Sequence, residues 1–156
     1  MAELKVGNRA PNFELRDQNA KTVKLADYKG RKLLVYFYPK ADTPGCTAQA
    51  CAVSEALGAL KAVGAAAIGI SSDGPEAQHR FDQKYTLGFP LLCDTDHVVA
   101  DAYGVWGQKS MYGKTSMGMI RSAFLIDEEG ILLGVWYKVR PQDTVPAVQA
   151  VLDEKA

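Results

Sequence analysis

Cys46 and Cys51 lie in the run YFYPKADTPGCTAQAC (36–51), five residues apart. An apolar, strand-like stretch ends at Pro39, Pro44 follows, and Cys46 comes where a helix should begin. Thr43 suits an N-cap, and Pro44 then takes the first helical position, where its missing N–H is no loss. Cys46 falls at the third helical position. There the N–H groups of the first turn have no partners within the helix, and the macrodipole is positive. Such a place favours thiolate over thiol, so the chemistry on offer is nucleophilic attack by sulfur.

Ionisation alone does not make a fast reaction. A free thiol, with a pKa of about 8.5, is already a few per cent ionised at neutral pH, so complete ionisation raises the thiolate concentration only about thirtyfold. Groups that stabilise charge developing on the substrate must supply the rest. Thr43 can donate through its hydroxyl. Pro39 and Pro44 stiffen the turn and can exclude water. The segment offers no cation for the site, because Lys40 reads as a solvated surface side chain.

The elements around this segment are legible. KLLVYFY (32–38) is a near-continuous apolar run, as in a central strand buried on both faces. Residues 44–63 predict a helix, with Cys46, Ala50, Val53, Leu57 and Leu60 in one stripe at spacings of three and four. Segments 12–17 and 22–25 predict an opening hairpin, and AAIGIS (66–71) a second buried strand. Residues 75–85 predict an amphipathic helix, 90–94 a short strand and 97–104 a short helix ending in glycine. Residues 105–119 are expected as a loop rich in Gly, Lys and Met. SAFLID (122–127) and ILLGVWYK (131–138) predict a hairpin, and Asp143 is expected to cap a last helix with Pro146 in its first turn. Strand–helix–strand units with a terminal hairpin and helix place the chain in the α/β class. A mixed central sheet flanked by helices and preceded by an N-terminal β-hairpin is consistent with a thioredoxin-like core.

The 156 residues suit one domain, and 47% apolar with 23% charged residues is ordinary for a globular chain. The 18 basic and 18 acidic residues balance, and no basic stripe is visible, which argues against a nucleic-acid partner. No apolar run is long enough for a membrane span, and MAELKVGNRAPNF lacks the apolar core of a signal peptide, so the expected location is cytoplasmic. Three cysteines are too few and too uneven for a disulfide scaffold.

PKADTPGC (39–46) matches the peroxiredoxin pattern P-x-x-x-[TS]-x-x-C, and the run 36–51 resembles the peroxiredoxin Q, or bacterioferritin comigratory protein, subgroup. APNFEL (10–15), SSD (71–73), FPLLCD (89–94), YGVWG (103–107), YGKT (112–115) and RSAFLID (121–127) follow in the order of that subgroup. The resemblance therefore covers nearly the whole of 1–156 as a single domain. It implies thiol-dependent reduction of hydrogen peroxide and organic hydroperoxides. Cys46 would be the peroxidatic cysteine, Thr43 the hydroxyl that holds the peroxide, and Pro39 a shield. Arg121 would be the missing cation beside thiolate and peroxide. On residue type alone, an arginine at a strand start reads as one half of a surface ion pair.

The resemblance also makes Cys51 the resolving cysteine, which would condense with the sulfenic acid of Cys46. An isolated cysteine at that place reads as a small, half-buried helix residue. On an ideal helix the two Cα atoms are about 8.6 Å apart, beyond the roughly 7 Å that a disulfide tolerates. The first two turns would therefore have to unwind in each cycle, exposing the disulfide to thioredoxin or a glutaredoxin. Cys93 reads as an inert core thiol; the alternative, Cys93 as the resolving cysteine, would need a large rearrangement. No metal, flavin or haem is implied, and the resemblance favours a monomer.

Other signals are weaker. GQKSMYGKT (107–115) has five residues between its glycines where a phosphate-binding P-loop has four. Cys46 and Cys51 with His79 or His97 lack the spacing and second ligand pair of structural zinc. Trp106 is a candidate pocket wall. Met111, Met117 and Met119 fit loop packing better than an apolar entrance. A non-catalytic redox sensor or chaperone-like binder is the rival class, and a sensor would stop after one equivalent of peroxide.

Overall fold

The chain opens with an antiparallel pair, β1 (Glu14–Arg16) and β2 (Thr22–Lys24). The turn between them closes on Asp17, whose carboxylate accepts from the amides of Asn19 and Lys21 at 2.8 and 3.0 Å. The coordinates are a computed structural model and describe residues 3–111 and 113–154, with the side chains of 110 and 111 left aside. The expectations for Met111 and for Tyr112 of YGKT lie outside that description.

After a 3-10 turn at Leu25–Tyr28 come β3 (Lys32–Phe37), α1 (Pro44–Ala62) and β4 (Ala65–Ser71). Then follow α2 (Pro75–Tyr85), β5 (Leu91–Cys93) and α3 (Val98–Ala102). The chain continues through β6 (Trp106–Met111), β7 (Lys114–Met119), β8 (Ser122–Ile126) and β9 (Leu132–Trp136). A 3-10 turn at Pro141–Asp143 leads into α4 (Thr144–Glu154). Seven strands form one sheet in the order β2-β1-β5-β4-β3-β8-β9. β3, β4 and β5 run parallel, and β8 lies antiparallel to β3 with Phe37 opposite Ser122.

β3 is central and buried from Leu33 onward, as its apolar run demands. Successive side chains of a strand point to opposite faces. Leu34, Tyr36 and Tyr38 accordingly pack with Cys46, Ala50 and Val53 of α1 and with Val148 and Leu152 of α4. Leu33, Val35 and Phe37 pack with Val99 and Ala100 of α3, Tyr103 and Phe124. The mixed sheet thus carries a separate core on each face. Among the described residues, no helix is long and apolar enough to cross a membrane.

Three local expectations need correction. Residues 105–119 are not a loop: β6 and β7 form a two-stranded hairpin from Trp106 opposite Met119 to Met111 opposite Lys114. Lys114–Met117 are exposed, so no apolar alternation marked this pair, and its turn lacks the Asn-Gly signature of short hairpins. Asp143 ends a 3-10 turn, and its carboxylate accepts from Arg140 Nε at 2.8 Å instead of capping α4. Trp106, expected at the pocket wall, stacks on His97, with centroids 4.1 Å apart and planes 3° from parallel. It packs against the core on the sheet face opposite α1.

Candidate active site

The carboxyl ends of parallel strands are where α/β folds gather their chemistry, and β3 ends there. Tyr38 extends its ladder by donating from its amide to Ile70 O at 3.0 Å. The chain then leaves the sheet at the half-buried Pro39. The 40–43 turn is tied down at two points. Asp73 accepts from the Ala41 amide at 2.7 Å and from Ser71 Oγ at 2.7 Å. Asp42, in the left-handed region at φ 60°, accepts from Lys84 Nζ at 3.1 Å and Tyr85 Oη at 3.1 Å. The Lys84 bond chiefly holds the Asp42 carboxyl below its ordinary pKa.

Thr43 occupies the N-cap position of α1 with extended backbone, and its carbonyl accepts from the Thr47 amide at 2.8 Å. Its side chain does not cap the helix: Oγ1 donates to Lys40 O at 2.8 Å. The hydroxyl proton is thereby committed, and the oxygen lone pairs remain to accept.

Cys46, at the third position of α1, is 1% exposed. Arg121 Nη2 donates to its Sγ at 3.5 Å. The sheet register explains this contact. Phe37 stands opposite Ser122, so Arg121 reaches the end of β3 where α1 begins. Gly45 makes room, since a Cβ there would lie 3.0 Å from Arg121 Nη2.

Two residues not singled out from the sequence hold this arginine. Arg121 Nη1 donates to Gln49 Oε1 at 2.8 Å, and Gln49 Nε2 donates to Thr144 Oγ1 at 2.8 Å. Thr144 in turn donates to Arg140 O at 3.2 Å. Gln49 and Thr144 are both fully buried. The available signal for Gln49 was a polar residue three positions after Cys46, on the buried stripe. Lys109 of β6 is a further cation in the neighbourhood. Burial and Arg121 lower its pKa, and Cys46 pushes it back up.

The structure therefore gathers Pro39, Thr43, Cys46 and Arg121 at one end of β3. Cys51 is half-buried on the continuous helix α1, packed against the same core, and all three cysteines are free thiols. Cys93 lies on β5, opposite Ser71 and Arg16. Burial, with Asp17 and Asp73 adding, pushes its thiol up to about 11. A cleft of 540 Å³ lined by Arg9, Tyr28, Leu33 and Asp127 opens at the start of β3, the end remote from Cys46.

The AhpC/TSA family model matches residues 6–135. Peroxiredoxin Bcp of Escherichia coli (strain K12) is 51% identical over 130 residues, 83% of each chain. This chain is a peroxiredoxin of the AhpC/TSA family. Its fold agrees with solved relatives. A mutant of Xanthomonas campestris peroxiredoxin Q superposes with a TM-score of 0.87 at 34% identity, covering 92% of each chain. The X. campestris bacterioferritin comigratory protein, trapped in intermediate/ligand complexes of alkyl peroxide reduction, superposes at 0.86 with 33% identity over 92% and 91% of the two chains. As a peroxiredoxin the protein is a thiol-dependent peroxidase with a thioredoxin-like fold, taking peroxides as substrates and a thiol as reductant. The geometry around Cys46 suits that chemistry, because a peroxidase cysteine needs both a thiolate and a cation for the departing oxygen.

Proposed function

We propose that Cys46 is the peroxidatic cysteine of this peroxiredoxin, Cys51 its resolving cysteine, and a dithiol of the thioredoxin or glutaredoxin class its reductant. The observation that carries the reading is the guanidinium of Arg121 at 3.5 Å from a buried sulfur in the first turn of a helix.

The Cys46 thiolate attacks one peroxide oxygen, and the O–O bond breaks. Sulfur is oxidised to sulfenic acid, and the other oxygen leaves as water or an alcohol after taking a proton. Arg121 is placed to stabilise negative charge first on sulfur and then on the leaving oxygen. Thr43, with its own proton on Lys40 O, accepts from the substrate O–H. This revises its expected role from donor to acceptor. Pro39 limits water. Cys51 then attacks the sulfenic sulfur as a thiolate, hydroxide departs, and a Cys46–Cys51 disulfide forms. The external dithiol reduces that disulfide by exchange.

Hydrogen peroxide and organic hydroperoxides are both proposed substrates. The X. campestris relative's alkyl peroxide reduction supports the second class. The same reading takes 1–156 as a single domain, acting as a monomer in the cytoplasm. Light scattering checks the monomer.

The deciding experiment is peptide mapping by mass spectrometry after one equivalent of hydrogen peroxide. A fast Cys46–Cys51 link is expected. A Cys46–Cys93 link would overturn the resolving assignment but keep the peroxidatic one. Oxidation of Cys46 no faster than that of an ordinary exposed thiol would overturn both.

A further inference from the structure

Tyr36 projects from β3 onto the face covered by α1 and is 0% exposed. Its ring lies across Gly69 of β4, where a Cβ would come within 3.0 Å of the hydroxyl oxygen. The rings of Tyr38 and Phe89 flank it at 5.5 and 6.2 Å. Inside this apolar cage the hydroxyl has no hydrogen-bond partner in the protein. Among the described residues it is the single buried side-chain nitrogen or oxygen in that condition. Other buried tyrosines are satisfied: Tyr38 donates to Gln78 Oε1 at 2.5 Å and Tyr103 to Pro11 O at 2.7 Å.

An orphaned buried hydroxyl calls for an explanation, since folded proteins satisfy nearly all such groups. The surroundings of Tyr36 suggest one. Cys46 and Ala50, from the first turns of α1, share its core cluster, and Cys51 packs against that cluster. These are the turns that must open if Cys51 is to reach Cys46.

We propose that Tyr36 sets how readily the first turns of α1 open, and so the rate of resolution, because its unpartnered hydroxyl disfavours the closed helix. The inference rests on the resolving role of Cys51 for its purpose, though not for its physics. While residues 44–51 are helical, the hydroxyl has lost water and gained no protein partner. When they unwind, the cover over β3 lifts and the hydroxyl regains hydrogen bonds. A phenylalanine carries no such penalty, so Tyr36→Phe holds the helix closed. The desolvation penalty of a buried hydroxyl corresponds to a factor of roughly 5 to 150 in the opening equilibrium.

The test uses full-length Tyr36→Phe, with Tyr103→Phe as a control that removes a satisfied hydroxyl on the other face. Hydrogen exchange of the amides of residues 47–51 is measured in the reduced protein. Rapid-quench mapping then follows sulfenic acid and disulfide after one equivalent of hydrogen peroxide. Tyr36→Phe should slow exchange at 47–51, and disulfide formation with it, by a factor in that range. Peroxide attack on Cys46 should be unchanged, and in a parallel run with excess hydrogen peroxide more Cys46 should be over-oxidised. Exchange at 47–51 as fast as in the wild type, or equally slowed by Tyr103→Phe, overturns the proposal. Slower exchange in a protein whose wild type forms no Cys46–Cys51 link would support the opening device and defeat the resolving role instead.

Discussion

In the proposed mechanism, complete ionisation of an ordinary free thiol would gain only about thirtyfold in thiolate, so the greater part of the acceleration is assigned to Arg121. Arg121→Ala should therefore lower the second-order rate of peroxide attack by well over about thirtyfold, measured by stopped-flow at saturating reductant. A loss no larger than that would reduce Arg121 to an aid in ionisation. Gln49 orients the guanidinium through Nη1 and is itself held by Thr144. Gln49→Ala should cost roughly ten- to a hundredfold in the same rate, the scale of one hydrogen bond to a charged group. Cys46→Ser should abolish turnover altogether. Gln49 was missed in the sequence because a polar residue inside an apolar stripe announces no partner, and its partners are 72 and 95 residues away.

At the scale of the element, the proposed cycle gives α1 two incompatible duties. Its intact first turns position Cys46, yet an intact helix keeps Cys46 and Cys51 about 8.6 Å apart at Cα, too far to bond. The disulfide state should thus lose helical structure over 44–51, seen as fast amide exchange there against slow exchange in the reduced protein. A disulfide with those amides still protected would refute the unwinding. Cys51→Ser should consume one equivalent of peroxide and then stall as sulfenic acid, read by trapping with a dione reagent. Full turnover with thioredoxin in that variant would remove Cys51 from the cycle. The extent of α1 was readable locally, from Pro44 at its first position and the spacing of its apolar residues. The β6–β7 hairpin was not, since an exposed strand lacks the alternation that burial imposes.

Across the whole molecule, an intervening strand separates Cys46 from Cys93 along the sheet. Cys46 lies in the α1 core beyond the end of β3, whereas Cys93 lies on β5 with β4 between. The buried Cys93 thiol, raised to about 11, stays neutral in the fold while the thiol of an unfolded chain ionises earlier, so rising pH favours the unfolded chain between the two pKa values. The fold's stability is thus fully kept below the unfolded thiol's pKa and is progressively lost as pH rises from there to about 11. Wild-type stability should fall over that window by up to about 1.4 kcal/mol per pH unit more than that of Cys93→Ala. Paired urea titrations across the window measure this, and identical slopes would show that Cys93 ionises as freely in the fold as out of it. Peroxidase activity at neutral pH should be unaffected in Cys93→Ala.

What the sequence determined by itself was local in origin. The strand over 32–38, the helix after Pro44 and the placing of Cys46 in its first turn follow from periodicity and capping within a few residues. PKADTPGC and the motifs after it marked the family for the same reason, being short and contiguous. Tertiary structure alone decided what touches Cys46. Arg121 reaches it across 75 residues because β8 pairs antiparallel with β3 in one register, and the hydroxyl of Tyr36 is orphaned only because the packed core around it closes without offering a partner. Periodicity says which face of an element is buried, whereas the partner met there is chosen by how the elements stack and by their register.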